Sequence, residues 1–409
     1  MPKTFDEMRS ALRGNLGVIV VSTSLWSLGR NLTMPFFALY VLELGGSYVD
    51  VGKIFAVGAV IKIVPILLGG YLADRMGRKK IIYSMSYLLA LVALINAFAP
   101  DYRFLLVAAV LEALFVGFRE PSFSSIIGDS TDPGNRATGY ALLMISPILF
   151  GVFSPSIIGV LMERYGVKLA MRWGFVVWFA TGLFSAFLRH RYLTETLTVD
   201  AETAPRKNSL GELVADFRAT LTNLSRPLLT FLGIDFVFTF ALGLGEPYFV
   251  TYATDGAGLT TSQWGLTMSL SLLVHCVTML IVASPSNRNR MKFVLASMLT
   301  WPLTYFLFAN THSFPQVLAV RVGVSIAAAV GQPAWEALFP DYCPKEHRGR
   351  FFALLEIAWS FLYGGGNFVG GVLYQNQGIR TSFLVAAALM AVASVIAVFV
   401  LKEPGRREE

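Results

Sequence analysis

Long apolar runs constrain this chain more than any other feature. They lie at about 15–42, 50–73, 80–99, 103–128, 138–162, 169–189, 227–252, 264–284, 292–311, 315–339, 351–374 and 380–401, each close to the 20 or so residues that one bilayer crossing needs. Backbone in lipid must satisfy its own hydrogen bonds, so the twelve runs read as transmembrane helices. Membrane-barrel strands would alternate over about 10 residues, and no such alternation occurs. Hydrophobic residues make up 55% and charged residues 14% of the 409, against about 25% charged in an average soluble chain. That deficit excludes a soluble globular enzyme and a disordered protein.

Lys3, Arg9 and Arg13 precede a first run too long for a signal core and without a convincing cleavage site, so it reads as an uncleaved helix. Basic residues cluster on one side: Arg75, Arg78, Lys79 and Lys80; Arg136; Arg189 and Arg191; Arg288, Arg290 and Lys292; Lys345, Arg348 and Arg350; Lys402, Arg406 and Arg407. By the positive-inside rule that side and both termini are cytoplasmic in a cell membrane. The net charge of +7 sits in these short loops, so it is no nucleic-acid signal. Cys276 and Cys343 form neither a metal spacing nor a disulfide framework.

The polar stretch at about 190–226 divides the chain. Within it Leu210, Leu213, Val214, Phe217 and Leu221 recur at helical spacing, which predicts an amphipathic helix on the inner membrane surface. The expected organisation is a bundle over 1–190, a linker over 191–226 and a bundle over 227–409. The two halves repeat at an offset of 212 residues: Pro121, Asp129 and Arg136 match Pro333, Asp341 and Arg348, and Pro35 and Tyr40 match Pro247 and Tyr252. Gly52 matches Gly265 after a one-residue slip. Two six-helix halves of the same orientation imply a parallel repeat, with substrate bound between them near the midplane and access alternated by rocking.

The loop Gly70-Tyr71-Leu72-Ala73-Asp74-Arg75-Met76-Gly77-Arg78-Lys79-Lys80 resembles the signature between helices 2 and 3 of the major facilitator superfamily. The resemblance implies an all-α membrane protein of twelve helices in two pseudo-symmetric six-helix bundles, the major facilitator fold. It also implies a conformational lock. Asp74 would face the start of helix 11, and Arg78 the acidic end of helix 4 at Asp129. Gly70 would permit close helix contact and Gly77 a tight turn, with Arg75 beside them. In the degraded second copy, Arg288, Asp341 and Arg348 are the pairing candidates. A purely topological basic loop is the other reading. Leu28-Gly29 through Pro35 is similar to a pattern of the drug–proton antiporter branch. Ser154-Pro155-Ser156-Ile157-Ile158-Gly159 matches that branch's helix 5 stretch only in part. The arginine that the family often carries twelve residues before the helix 4 proline is replaced by Ala109; in the second half the equivalent place holds Arg321.

Ionisable groups inside apolar spans cost about 2.5–3.5 kcal/mol or more, so each is a functional candidate. Arg30 lies in helix 1, Lys62 in helix 2 and its repeat equivalent His275 in helix 8. Helix 4 carries Glu112, Arg119 and Glu120; helix 7 carries Asp235 and Glu246; Arg321 and Glu356 follow. Glu112 and Arg119 share a helix face. By resemblance, Arg30, Glu112, Arg119, Glu246 and Arg321 would line a polar cavity. Carboxylates among apolar walls can carry protons at neutral pH, and Glu112 and Glu246 are the candidates. Bland readings stand beside these: Asp235 and Glu356 as structural, Arg119–Glu120 as a local packing pair, Lys62 as snorkelling or paired with Glu112, and His275 as packed. Trp26, Phe36, Tyr40, Phe240, Tyr248, Trp335, Trp359 and Tyr363 are the candidate aromatic lining for amphipathic ligands.

The leading functional expectation is proton-coupled efflux of small amphipathic compounds by a single chain acting as a monomer in the bilayer. The runner-up is a proton-linked or facilitative carrier of an organic anion or other metabolite, favoured by Arg30, Lys62 and Arg321. Catalysis is not expected. His190, His275, His312 and His347 are scattered, and the chain shows no phosphate loop. The expected cofactor and metal complement is none.

Overall fold

Several of the helix breaks fall at or next to prolines. The computed structural model describes residues 14–130, 136–197, 226–288, 290–342 and 348–401. Helix α1 runs over Asn15–Thr33, tightens to a 3-10 turn at Met34–Phe36 and resumes at Phe37–Glu43. Pro35 in that turn lacks the N–H an α-helix would use. Helix α2 comprises Tyr48–Ile61 and Ile63–Met76, interrupted at Lys62 just before Pro65. Then come α3 (Arg78–Ala97), α4 (Tyr102–Asp129), α5 (Arg136–Gly151 and Ser154–Tyr165) and α6 (Val167–Tyr192). Helix α7 repeats the design of α1: Arg226–Gly245, a 3-10 turn Glu246–Tyr248 around Pro247, Phe249–Thr251 and a π turn Tyr252–Gly256. The remainder is α8 (Thr261–Arg288), α9 (Arg290–Phe308), α10 (Phe314–Tyr342), α11 (Arg348–Gln377) and α12 (Thr381–Val400). The amphipathic helix expected at Leu210–Leu221 lies outside the described residues.

Nine helical stretches among the described residues are long and apolar enough to cross a membrane. The runs outside that set are α1, α4 and α11. These carry Arg30, then Glu112, Arg119 and Glu120, then Glu356 and Asn367, so polar and charged side chains set them apart from the other nine. Many large apolar side chains are exposed, Phe399 at 79% and Phe98 at 69% among them. Lipid, rather than water, is the solvent such surfaces fit. The protein is a multi-pass membrane protein.

The chain forms two compact units. The first comprises Met1–Gly46, Ile61–Ala204 and Thr260–Ser269; the second comprises Ser47–Val60, Pro205–Leu259 and Leu270–Glu409. The units therefore do not follow chain order alone. The first part of α2 belongs to the second unit, and the start of α8 to the first. Inside each unit the packing is the same. In the first, α6 lies on α1 and α3, α4 on α3, and α5 on α1; in the second, α12 lies on α7 and α9, α10 on α9, and α11 on α7. Lipid is as apolar as a leucine side chain, so tight packing and polar links hold such helices together. Phe249, Tyr252, Phe308 and Phe383 interlock in the second unit, with ring centroids 4.6 to 5.4 Å apart for the pairs of Phe249 and Tyr252 with Phe308 and Phe383.

The repeat also reaches the helix caps. Ser47 and Asp50 at the start of α2 cap each other reciprocally: the Ser47 N–H donates to Asp50 Oδ2 (3.0 Å) and the Asp50 N–H to Ser47 Oγ (3.2 Å). Thr260 and Gln263 do the same at α8, at 3.0 and 3.3 Å. Between α2 and α3 the whole connection is Gly77, whose φ of +88° lies where side chains are rarely tolerated.

Candidate functional site

In the first unit the charged groups gather between α1 and α4. Glu112 is half-buried on α4 and interacts electrostatically with both Arg30 and Arg119. Arg30 itself is exposed, near the end of the first segment of α1. One turn-pair along α4, Arg119 donates to Glu120 at 3.2 Å, and its guanidinium lies 5.8 Å from the Trp26 ring and 5.6 Å from Phe123. Arg119 thus has a carboxylate and two aromatic faces as neighbours, an arrangement that holds a cation in an apolar setting. Lys62 is half-buried at the break in α2, where its carbonyl approaches Gly117 of α4.

Arg189 departs most from the sequence-based reading. Its position among cytoplasmic-side basic residues suggests a loop. In the structure it sits in α6 with only 2% of its surface exposed. Its guanidinium donates to Ser86 (2.8 Å), Ser22 (3.0 Å) and Thr23 (3.3 Å) and lies 5.0 Å from the Phe123 ring. Three hydroxyls and a π face replace the water the cation gives up, tying α6 to α1, α3 and α4. Serines at 22 and 86 were the available signal, but only folding shows that they converge.

In the second unit, Glu246 is exposed on the 3-10 turn of α7 and accepts a 2.8 Å hydrogen bond from Tyr363 of α11. Arg321 of α10 lies 4.3 Å from the Phe249 ring and interacts electrostatically with Glu246 and Tyr305. His275 of α8 is half-buried, 3.3 Å from the Ser325 carbonyl of α10. Asp235 is 5% exposed and accepts a hydrogen bond from the Trp359 indole, with Trp335 as a second donor. Glu356 is half-buried on α11.

Three of the aromatic candidates are core residues. Phe36, Tyr40 and Tyr248 are fully buried. Tyr40 donates to the Asn96 carbonyl and Tyr248 to that of Asn367, both at 2.8 Å. Their hydroxyls are spent on fastening helices, so they line no open wall in this structure. Trp26, Phe240, Trp335, Trp359 and Tyr363 are half-buried. Trp26 packs edge-on against Trp178 at 5.4 Å, and Phe240 packs beside Gly366.

At the α2–α3 turn, Arg78 forms an ion pair with Asp129 at the end of α4 and a 3.3 Å hydrogen bond to Thr196. Glu195 accepts from the Lys79 N–H at 3.0 Å. Arg75 is exposed. The expectation for Gly70 is corrected: the space a side chain would take there is open. A side chain at the neighbouring Gly69 would meet the Phe118 carbonyl of α4 at 3.0 Å. The side chains of Asp74, Arg288, Asp341 and Arg348 lie outside the described residues.

Comparison with known proteins fits this geometry. The Major Facilitator Superfamily family model matches residues 19–314 and 236–409. The chain belongs to this superfamily. As a superfamily member it resembles the multi-drug resistance efflux pump PmrA homolog of Lactococcus lactis, at 24% identity over 97% of this chain and 96% of the relative. It also resembles multidrug resistance protein MdtG of Klebsiella pneumoniae, at 25% identity over 95% of this chain and 94% of the relative. Among solved structures, the human organic anion transporter MFSD10 (TETRAN) superposes with a TM-score of 0.68 at 18% identity, over 94% of this chain and 99% of that one. The nucleoside transporter NupG gives a TM-score of 0.74 at 12% identity, over 95% of this chain and 100% of that one. At these identities the structural likeness shows the shared fold. The chain is a major facilitator transporter, and its relatives and neighbours are transporters rather than enzymes.

Proposed function

We propose that this transporter exports small amphipathic compounds in exchange for protons, by alternating access of two pseudo-symmetric six-helix halves (1–190 and 227–409) joined by the 191–226 linker. The observation that carries this reading is Glu112, a half-buried carboxylate interacting with two arginines, Arg30 and Arg119. When ionised, Glu112 neutralises part of that positive charge. When it takes a proton, the charge of the group rises by one, and its affinity for a cationic or neutral amphipath changes with it. Proton and substrate then compete for one electrostatic balance, which is sufficient for exchange. Glu246, oriented by Tyr363 and facing Arg321, supplies an equivalent group in the second unit. The drug-efflux relatives support an amphipathic substrate. Monomeric action and cytoplasmic termini belong to the same reading.

A second reading, carriage of an organic anion, is favoured by the cations Arg30, Lys62 and Arg321 within the membrane-spanning helices. Counterflow in proteoliposomes separates the two. A cationic dye exchanged against a proton gradient, with pH dependence lost in Glu112→Gln or Glu246→Gln, supports export. Counterflow of organic anions alone, with pH dependence intact in both variants, overturns it.

A further inference from the structure

At the end of the first unit that carries the α2–α3 turn, the start of α3 and the end of α6 line a groove of about 570 Å³. Its cations are Lys79 and Lys80 of α3 and Arg191 of α6, and the carboxylate lining it is Glu195. That carboxylate is already committed to backbone: Oε2 accepts from the Lys79 N–H at 3.0 Å, and Oε1 from the Thr196 and Leu197 N–H groups at 3.0 and 3.1 Å. Among the described residues, no carboxylate forms an ion pair with Lys79, Lys80 or Arg191. Aromatic rings fix one wall. His190 stacks on Tyr83 with centroids 4.2 Å apart, and Tyr87 stands edge-on to it at 6.0 Å. Phe187 lines the groove, and Phe184 stacks on it at 6.4 Å one turn further into the span; both are exposed.

We propose that this groove holds the phosphodiester headgroup of an anionic phospholipid, with one acyl chain lying along Phe187 and Phe184. Three cations against one carboxylate leave a surplus of positive charge, and a phosphodiester brings a negative one. Lysine ammoniums and the arginine fork both suit phosphate oxygens. Basic pockets between transmembrane helices at a membrane surface favour anionic headgroups, by about 1 kcal/mol for each lysine or arginine. A zwitterionic lipid gains less, because its own ammonium faces the same cations. The shape also selects a lipid over a free anion: a soluble phosphate fills the polar end but has no use for two exposed phenylalanines leading into the span. Arg78 precedes Lys79 but is engaged with Asp129, so it takes no part. The site uses neither Arg30, Glu112 nor Glu246, so it goes beyond the exchange reading above.

The probe is phosphatidylglycerol, titrated onto the delipidated full-length protein in neutral detergent and counted as bound lipid by native mass spectrometry. It should bind about tenfold or more tightly than phosphatidylcholine, whose headgroup has no net charge. Replacing Lys79, Lys80 and Arg191 together by glutamine should weaken it about tenfold or more. Lys168→Gln, at an exposed cation outside the groove, should leave binding unchanged. Phe187→Ser keeps every cation and should weaken binding about threefold or more, the loss expected when part of a phenylalanine is no longer covered. Excess inorganic phosphate should not displace the lipid. Equal binding of the two lipids, wild-type affinity in the triple variant and in Phe187→Ser, or displacement by inorganic phosphate overturns the proposal.

Discussion

The Tyr363 phenol donates a 2.8 Å hydrogen bond to Glu246, joining the glycine-rich middle of α11 to the 3-10 turn at which Pro247 breaks α7. Because Glu246 is exposed there, the bond orients the carboxylate and leaves it accessible. A hydrogen bond to a charged group contributes about 1.5–3 kcal/mol, with exposure favouring the low end. Tyr363→Phe should slow transport about tenfold at saturating substrate, by the 1.4 kcal/mol-per-decade relation. Melting in detergent should fall by no more than about 2–4 °C. A large drop in melting temperature with normal rate would mean the bond serves folding instead.

Arg189 should behave in the opposite way. Replacing it by methionine removes the donor from which the Ser22, Ser86 and Thr23 hydroxyls accept. Lysine cannot reproduce the fork of donors. Both variants should lose about 2–4 kcal/mol of stability, the scale for breaking a buried polar network. Thermal unfolding in detergent measures this.

For Arg78 and Asp129, the partly exposed pair should contribute little to stability. A double-mutant cycle of Arg78→Gln and Asp129→Asn should give a coupling of about 0.2–1 kcal/mol in unfolding. Transport rate is the more sensitive readout, and the double variant should transport no worse than either single variant if the two residues act through each other.

A side chain at Gly52 would collide with the Asn367 carbonyl and meet the Tyr248 hydroxyl at 2.6 Å. Gly52→Val should therefore push the first part of α2 away from α11. The 3.2 Å hydrogen bond from the Val49 N–H to Gln375 should be lost with it. Spin labels at positions 49 and 375 should report a longer, broader distance, accompanied by at least about tenfold slower transport.

Much of the fold was legible because lipid enforces simple rules. Apolar length marks a crossing, and the 212-residue repeat announces two similar bundles. The paired helix breaks at Pro35 and Pro247 follow from proline's missing donor, and both were visible as matched positions. The reciprocal caps at Ser47–Asp50 and Thr260–Gln263 came from the structure alone. The candidate site was legible only as a set of costly charges. Spacing along α4 puts Glu112 and Arg119 on one face, but spacing cannot bring Arg30 to them; only the family resemblance grouped the three. Tyr40 and Phe36 read as plausible lining because an aromatic in a core and one on a cavity wall have the same local pattern.

By itself the sequence determined the material: helices that must satisfy their own backbone in lipid, a duplicated bundle, and a small number of charges too expensive to be incidental. Only the tertiary structure decided how those charges are compensated. Arg189 became a buried strut because three hydroxyls from two other helices converge on it, and Asp235 became a buried acceptor because two indoles reach it. The difference is physical: crossing a bilayer depends on a side chain's own transfer energy, whereas the state of a buried charge depends on neighbours distant in the chain.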